Sequence, residues 1–339
     1  PDYRPCNRSE TPLLPSMTQQ SLFQQVDRYR VEGAYTDIDI LVGLHRFCGE
    51  FKLGRPQMHA ASMAGEWKTR SRGRGIDFEE VRLYQPGDDI RSIDWRVTAR
   101  TGKTHTKLFR EEIERPVLIA TDLSASMLFG SQLLFKSVQA AHLAALVAWH
   151  AKGRGDRIGG IVFNNELHQE LKPRSRQAGV LHYLHALTQI HRQSIDNPVK
   201  DQTGTQAFEQ NCARLRQLAR PGSLVYLITD GYLLSKEAIR HLSQISRHCE
   251  LVVCQITDPL EHHLPESKHR FNVAITDGRQ DQQLTLGDKR TADQYRQKAE
   301  AMREQRQDFI SKAGARILTF SAAHTLEFQL KNGVSTWTR

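Results

Sequence analysis

The distribution of apolar and polar residues changes character about a third of the way along the chain. From there, short apolar runs of the buried-strand type alternate with longer segments of helical periodicity, and the strongest runs are 117–122, 224–229 and 250–258. Alternation of this kind is typical of an α/β fold with a mostly parallel sheet. The segment 131–153 predicts a long helix that is apolar on almost every face and ends at Gly153.

The same pattern predicts two hairpins and several further helices. One hairpin covers 157–171, and the other turns at Asp277 and Gly278, a dipeptide that favours tight turns. The remaining predicted elements are helices over 175–192, 207–219, 235–246, 290–313 and 324–331 and a strand over 316–320.

The first third of the chain is less regular. It starts with a polar, proline-containing stretch, in which we expect a poorly ordered arm or a short helix. A helix capped by Thr36 is predicted over 36–51, and short β-type pieces with turn signals follow. The predicted regions are therefore a polar arm (1–35), a smaller helical and β-rich region (36–115) and the α/β domain (116–331).

Composition places the chain among ordinary globular proteins and leaves one unusual feature, its charge. Of 339 residues, 39% are hydrophobic and 25% are charged, which excludes collagen-like, low-complexity and wholly disordered chains. The net charge of +9 raises the hypothesis of nucleic-acid binding. The surplus is spread out, because residues 1–115 carry 19 basic and 17 acidic side chains and the rest of the chain carries 28 and 21. Nucleic-acid binding therefore stays an alternative that no dense basic tract supports.

The cysteines and the apolar runs bear on the cellular compartment. The five cysteines are scattered without a CxxC pair, which argues against a disulfide framework or a thiolate zinc site and favours a reducing compartment. No apolar run approaches the roughly 18 residues that cross a bilayer. The first residues lack the apolar segment of a signal peptide. We therefore expect a soluble, cytoplasmic protein without a membrane span.

The residues with the clearest chemical signal follow the first strong strand. Asp122, Ser124 and Ser126 alternate at its carboxyl end, where open α/β sheets bind ligands. An extended loop can turn these oxygen-bearing side chains toward one hard cation, for which Mg²⁺ is the first candidate and Mn²⁺ or Ca²⁺ are alternatives. The competing interpretation is structural, with Asp122 and Ser124 capping the helix that follows.

Two further positions can reach the same edge of the sheet. Thr205 lies in a predicted polar loop just before a helix and offers a third hydroxyl. Asp230 ends the second strong strand, and it can join the site if the two strands are neighbours. Asp258 and Asp277 end similar ITD sequences and compete with Asp230 for this role, for which Asp230 is preferred.

The complete set resembles the metal-ion-dependent adhesion site of von Willebrand factor A domains, whose pattern is DxSxS, then a Thr, then an Asp at a later strand end. The resemblance implies a von Willebrand factor A-like, Rossmann-like fold with helices around a mostly parallel sheet. It also implies a Mg²⁺ ion with hydroxyl-rich ligands that stays open to a carboxylate of a protein partner. The residues that match the pattern are Asp122, Ser124, Ser126, Thr205 and Asp230.

Common signatures of catalysis are missing from the sequence. It contains no GxSxG elbow, no GxxxxGK[ST] phosphate loop and no HExxH zinc helix. A haloacid-dehalogenase-like phosphatase would need a second carboxylate two positions after Asp122, where this chain has Ser124. We therefore predict a non-enzymatic protein-interaction module with no catalytic residues, and a metal-dependent hydrolase that uses Asp122 is the alternative.

A second resemblance comes from the region before the α/β domain. It carries GRGIDFEE at 73–80, GDDIRSIDW at 87–95 and a pair of glutamates at 111–112. This is similar to the signature of the bacterial family known as domain of unknown function 58, where it precedes a von Willebrand factor A-like domain. Members are commonly encoded beside MoxR-type AAA ATPases, so the resemblance implies an adaptor for such an ATPase in protein maturation or stress response. Many members carry transmembrane helices before the signature, and this sequence shows none.

Charged and aromatic residues of the signature region are candidate contacts for the partner. The two arginines of this set at the start of the signature suit an acidic partner or a phosphate, and a solvated loop is the alternative. The cluster around the tryptophan has a structural alternative, an ion-paired loop that clamps one layer onto another, and that alternative is preferred. The candidates are Arg72, Arg74, Arg91, Asp94 and Trp95.

Overall fold

The chain was analysed as a computed structural model, which describes residues 33–49, 76–85, 88–111, 114–197, 204–264, 271–276, 281–332 and 335–337. The strands are β1 (Ile76–Leu83), β2 (His105–Glu111), β3 (Pro116–Asp122), β4 (Arg157–Phe163), β5 (His168–Arg174), β6 (Leu224–Thr229), β7 (Glu250–Thr257), β8 (Phe271–Thr276), β9 (Asp281–Leu286), β10 (Arg316–Ser321) and β11 (Ser335–Trp337). The helices are α1 (Ile38–Gly43), α2 (Trp95–Thr101), α3 (Lys136–Gly153), α4 (Arg176–Asp196), α5 (Gly204–Leu218), α6 (Lys236–Ser246), α7 (Lys289–Lys312) and α8 (Leu326–Asn332).

The larger of two compact units is built on a seven-stranded sheet in the order β11-β10-β7-β6-β3-β4-β5. The five inner strands are parallel to one another, and β5 and β11 are antiparallel edge strands. Counted from β3 as the first strand, this is the doubly wound order 3-2-1-4-5-6 with one strand added. The strand order reverses between β3 and β6, and ligands of such sheets bind at the carboxyl ends on either side of that point.

Both faces of this sheet are covered by helices, as the apolar runs of the inner strands require. One core cluster contains side chains of α1, α3, α4 and α8, and the other contains side chains of α5, α6 and α7. Successive residues of β3 divide between the two clusters: Val117 and Ile119 join the first, and Leu118 and Ala120 join the second. The prediction of a mostly parallel α/β fold is confirmed.

The long apolar helix is α3, and 15 of its 18 residues are buried. It begins at Lys136, five residues later than the pattern predicts, because Ser131 is tied to Asp258: its backbone N–H donates to Asp258 Oδ2 at 2.9 Å. The backbone N–H of Leu134 donates to Ala322 O at 3.1 Å, which also keeps this segment outside the helix. Apolar character alone does not distinguish a helix from a buried loop held by such bonds.

The helix predicted over 36–51 is shorter and belongs to the larger unit. It consists of α1 and a 3₁₀ turn that ends at Phe47, and its cap is Asp37, which accepts a 2.8 Å hydrogen bond from Ile40 N, rather than Thr36. Leu41 is fully buried, and its carbonyl accepts a 3.0 Å bond from Trp149 Nε1. The predicted boundary at residue 36 is therefore corrected, since residues 33–49 pack with the α/β unit.

The smaller unit contains the antiparallel pair β1 and β2 with α2 between them in sequence. The turn signals of this region predict β-type pieces, and the pattern did not reveal α2. Its N-cap is Asp94, whose Oδ1 accepts hydrogen bonds from Arg96 N at 3.0 Å and Val97 N at 3.1 Å. An Asp at this position satisfies the free N–H groups of a first helical turn.

Gly160 of β4 occupies a position that other residues fit poorly. Its φ is +144°, and a Cβ there would lie 2.0 Å from the carbonyl oxygen of Ile119 in β3. We expect Gly160→Ala to lower the free energy of unfolding by about 3 kcal/mol or more, from backbone strain and the displaced strand. The matched control is Gly153→Ala, because Gly153 has open space around it and lies at the end of α3. Urea unfolding should separate the two variants; equal stability would contradict this account of the β3–β4 contact.

Two histidines lie buried between α3 and α4. Burial lowers the pKa of His142 to about 4, and the nearby His191 adds to the effect. Burial also lowers the pKa of His191 to about 4, and its Nε2 lies 3.1 Å from Ser137 Oγ. Both rings are therefore neutral in the folded protein at pH values where an unfolded histidine takes up a proton.

This difference predicts an acid-sensitive core. A lowered histidine pKa does not change the free energy of unfolding above about pH 6.5, where the histidine is neutral in both states. The free energy of unfolding decreases as the pH falls from about 6.5 toward 4, because only the unfolded state binds the proton. At pH 5 the expected loss from His142 is about 2 kcal/mol. Unfolding free energies at pH 7.5 and 5 should therefore fall less in His142→Leu than in the wild type, with His185→Leu, an exposed position of α4, as the control. The same pH dependence in all three proteins would contradict the prediction.

Candidate functional site

Asp122 lies at the end of β3 and is fully buried. Its Oδ1 accepts hydrogen bonds from Ser124 N at 3.0 Å and from the Ser124 hydroxyl, and its Oδ2 accepts a 2.7 Å bond from Thr229 Oγ1 at the end of β6. The neighbouring strands β3 and β6 are therefore joined by this side-chain hydrogen bond as well as by their backbone pairing. Asp122 does not cap α3, whose N-cap is Phe135. Part of the structural alternative is nevertheless present, because Ser124 is the N-cap of the 3₁₀ turn that follows β3 and its N–H makes a turn hydrogen bond to Asp122.

The loop after β3 carries the two serines of the predicted site. A 3₁₀ turn spans Ala125–Met127, and Asn165 Oδ1 fixes it by accepting a 2.8 Å bond from Ala125 N. Ser124 is 2% exposed and donates to Asp122. The hydroxyl oxygen of Ser126 is buried and has no hydrogen-bond partner among the described residues. A buried hydroxyl without a partner is uncommon and is the kind of atom that a bound ion or water satisfies.

The electrostatic surroundings disfavour a bare charge on Asp122. Burial raises the pKa of its carboxyl to about 6, the nearby Asp230 adds to this rise, and the bonds from Ser124 and Thr229 oppose it. Negative charge is therefore concentrated at this edge of the sheet, and a cation placed there would relieve it.

Asp230 follows β6 and makes an ion pair that the sequence did not reveal. Its Oδ2 accepts a 2.8 Å bond from Lys136 Nζ, and its Oδ1 accepts a 3.0 Å bond from Tyr232 N. Lys136 is 1% exposed and also donates to Glu261 Oε1. Burial alone would lower the pKa of Lys136, but Asp230 and Glu261 outweigh it and raise that pKa above its usual range, so the ammonium is charged.

Asp258 and Asp277 are the alternative candidates for the role of Asp230. Asp258 caps a 3₁₀ turn after β7: its Oδ1 accepts a 2.9 Å bond from Leu260 N, and its backbone N–H donates to Glu261 Oε2 at 3.1 Å. With Ser131 also bound to it, the oxygens of Asp258 are occupied by this turn and the loop before α3. Asp277 lies outside the described residues. Asp230 is thus the described candidate that lies beside Asp122.

Thr205 lies in the first turn of α5 rather than in a loop, and it is exposed. One turn later, the ring of Phe208 packs on Phe163 at 5.7 Å, and Phe163 is the β4 residue that pairs with Asp122. The start of α5 therefore lies near the same edge, although no hydrogen bond joins Thr205 to the described part of the cluster.

These residues fit a small oxygen-ligated cation in part. Asp122, Ser124 and the unpartnered Ser126 supply one carboxylate and two hydroxyls, a donor set suited to a hard ion such as Mg²⁺. The oxygens of Asp230 are already bound to Lys136 and Tyr232. In the described residues, no group of three or more His, Cys, Asp or Glu side chains is arranged to hold a metal.

The candidate contacts in the smaller unit divide into structural and exposed residues. Asp94 caps α2 and lies 3.5 Å from Lys107 Nζ, so its role is structural; its bond from Val97 N contributes most to a lowered pKa. Trp95 is 67% exposed. The ion pair of Asp94 with Lys107 agrees with the preferred structural interpretation of this loop, and its role in clamping one layer onto another stays a prediction. Arg91 is also exposed. Arg72 and Arg74 lie outside the described residues.

Sequence reasoning missed Thr229, Lys136 and Glu261. A signal for Lys136 was present, because it is the single charged residue in the apolar stretch 131–149. A lysine inside a helix that is apolar on every face must find acidic partners when it is buried. Two exposed aromatic residues lie next to it: the ring centroids of Tyr232 and Phe129 are 5.0 and 5.9 Å from its Nζ.

Comparison with known protein families identifies the family of the chain. The sequence profile described as "Protein of unknown function DUF58" matches residues 80–308. The chain belongs to this family. The matched part of the DUF58 chain includes the sheet edge with Asp122, Lys136, Asp230 and Glu261, and the resemblance to domain of unknown function 58 is confirmed.

Curated relatives of this DUF58 chain include the uncharacterized protein Mb1516 of Mycobacterium bovis and the uncharacterized protein Rv1480 of Mycobacterium tuberculosis. Each is 28% identical over 195 residues, which cover 57% of this chain and 59% of the relative. The match thus spans little more than half of either protein.

The structure of this DUF58 chain was also compared with solved structures, and the matches cover part of the chain. The conserved hypothetical protein BatB from Bacteroides thetaiotaomicron is 17% identical, with 59% of this chain and 98% of that chain covered and a TM-score of 0.35. A von Willebrand factor type A structure from Catenulispora acidiphila is 13% identical, with 46% and 35% covered and a TM-score of 0.28. Within the described ranges, no helix is both long enough and apolar enough to span a bilayer.

Proposed function

We propose that the chain is a non-enzymatic protein-interaction module that binds a partner through a divalent cation at the carboxyl edge of its sheet. The observation that carries this proposal is the buried, unpartnered hydroxyl of Ser126, two residues after the Ser124 that bonds to Asp122. The pair lies next to the point where the strand order reverses, which is the usual ligand position in this kind of sheet.

In this proposal, Mg²⁺ is held by Asp122, Ser124 and Ser126, with Thr205 approaching from α5. Mn²⁺ and Ca²⁺ have the same preference for oxygen ligands and are alternatives. Bound there, the ion supplies positive charge with few negatively charged ligands, so a carboxylate of a partner is attracted to it. Asp230 lies close enough to contribute to the raised pKa of Asp122, and its ion pair with Lys136 offsets its negative charge.

The rim of the site favours a protein partner. Phe129 and Tyr232 are 38% and 45% exposed, and both lie close to the buried Lys136. Exposed aromatic side chains are enriched at the centres of protein interfaces. We propose a MoxR-type AAA ATPase as the partner, because the family signature of the chain implies one, with protein maturation or stress response as the process.

The test is capture of this ATPase by the tagged, purified chain in the presence of Mg²⁺ and in the presence of EDTA. We expect retention in Mg²⁺ and loss in EDTA. Retention in both buffers would contradict a metal bridge, and capture in neither would contradict the choice of partner. A parallel assay measures binding of the chain to DNA as the salt concentration is raised from a low value. DNA binding that weakens steeply with salt would favour the nucleic-acid alternative.

A further inference from the structure

Lys136 pairs with Asp230, one of the two carboxylates of the predicted site. It is the first residue of α3, and its ammonium lies between Asp230, which follows β6, and Glu261, which follows β7. Its side chain is 2% exposed, and the carboxylates of its two partners are 0% and 10% exposed. This is a buried ion triad in direct continuity with the Asp122 site.

The triad satisfies its own polar groups. The second oxygen of Asp230 accepts a bond from Tyr232 N, and the second oxygen of Glu261 accepts one from Asp258 N. A buried charge is tolerated when it is paired and hydrogen-bonded in this way. Asp230 therefore needs no metal to balance its charge, whereas the hydroxyl of Ser126 on the Asp122 side is unsatisfied.

The ammonium of Lys136 also disfavours binding of a divalent ion at Asp230. A divalent ion that used Asp230 as a ligand would have to approach Lys136 Nζ, which lies 2.8 Å from Oδ2 of that residue. Like charges at such short range repel strongly in a buried site of low effective dielectric. Lys136 is inaccessible and charged, so it is not a nucleophile, and its effect on the site is electrostatic.

We propose that Lys136 is a tethered cation that holds and neutralises Asp230, so that a divalent ion is confined to Asp122, Ser124 and Ser126. This inference rests on the proposed function, since it defines the ligands of the same cation. This ion pair of Lys136 with Asp230, the tether, keeps the affinity of the site for the divalent ion low. The bound ion then has few negatively charged ligands. A partner carboxylate then completes the site.

Two double variants test this role with matched net charge. Lys136→Gln/Glu261→Gln removes the ammonium and keeps the carboxyl group of Asp230, whereas Lys136→Gln/Asp230→Asn removes the ammonium and keeps the carboxyl group of Glu261. Both remove one positive and one negative charge. The readout is the dissociation constant of Mn²⁺ alone, measured by the loss of the free-ion electron paramagnetic resonance signal. Circular dichroism checks that each variant folds.

We expect Lys136→Gln/Glu261→Gln to bind Mn²⁺ about tenfold or more tightly than the wild type, and the other double variant to stay within about threefold of it. An unchanged affinity in the first variant, or an equal gain in both, would overturn the role of Lys136. Asp122→Asn serves to separate the two claims. If the wild type binds Mn²⁺ through Asp122 but the first variant shows no gain, only the tether is wrong; if no protein binds Mn²⁺, the proposed function and the tether both fail.

The wild type provides a readout that does not depend on the folding of a variant. Because Lys136 already supplies positive charge at Asp230, the unfolding temperature should differ by less than about 2 °C between EDTA and 1 mM Mg²⁺. A rise of about 5 °C or more in Mg²⁺ would show a tightly held ion that the fold requires, and it would overturn the inference.

Discussion

Asp122→Asn is expected to abolish binding of divalent ions, with a loss of affinity of about 100-fold or more, and to leave the fold intact. Asp122 is the carboxylate of the proposed ligand set, and hydroxyls alone hold Mg²⁺ or Mn²⁺ weakly. Its buried carboxyl has a pKa raised by burial to about 6, so at pH 7.5 the ionised group is unfavourable for the folded state. The neutral amide should therefore be as stable as the carboxylate or more stable, since Thr229 can exchange its donor role for an acceptor role.

The measurement combines Mn²⁺ binding with urea unfolding at pH 7.5. Asp156→Asn is the matched control, because Asp156 is also a buried aspartate with a pKa raised by burial but it lies at the start of β4, at the opposite end of the sheet. We expect the control to bind Mn²⁺ like the wild type. Normal Mn²⁺ affinity in Asp122→Asn would remove Asp122 from the site, and unfolding of the variant would show that its role is structural.

Lys136→Met should be among the most destabilising single substitutions in the chain. It would leave Asp230 and Glu261 buried without their common partner, and loss of one member of a buried ion pair costs about 3–5 kcal/mol. Lys152→Met, on the exposed side of the last turn of the same helix, should change the free energy of unfolding by less than about 0.5 kcal/mol.

The triple variant Lys136→Met/Asp230→Asn/Glu261→Gln separates lost pairing from lost packing. Replacing a whole buried ion triad by neutral groups is often close to neutral for stability. We expect it to recover at least half of the loss seen in Lys136→Met by urea unfolding. If Lys136→Met is as stable as Lys152→Met, the ion triad does not contribute as described.

Much of the architecture follows from the sequence because buried parallel strands have a distinctive pattern. The inner strands β3, β6 and β7 are continuous apolar runs, and their order along the chain with helices between them leaves few topologies. Positions where polar contacts override this pattern were less predictable. The late start of α3 depends on a bond between Ser131 and Asp258, which are 127 residues apart.

The residues of the candidate site that lie directly at the ends of strands could be predicted from the sequence. Asp122 and Asp230 were found because the carboxyl ends of neighbouring parallel strands share one edge of the sheet. The partners of those carboxylates were not found, since Lys136 and Glu261 come from a helix start and a turn that have no fixed spacing from either strand. Thr205 lies near this edge on α5, and its contribution to the site stays a prediction.

The most direct test of a metal-bridged interaction is the affinity for the ATPase partner as a function of Mg²⁺ concentration, measured side by side for the wild type and Asp122→Asn. We expect the wild type to bind the ATPase more tightly as the Mg²⁺ concentration rises, up to a plateau, whereas Asp122→Asn should show weak binding that does not depend on Mg²⁺. Wild-type affinity that is the same in EDTA and in saturating Mg²⁺ would contradict it.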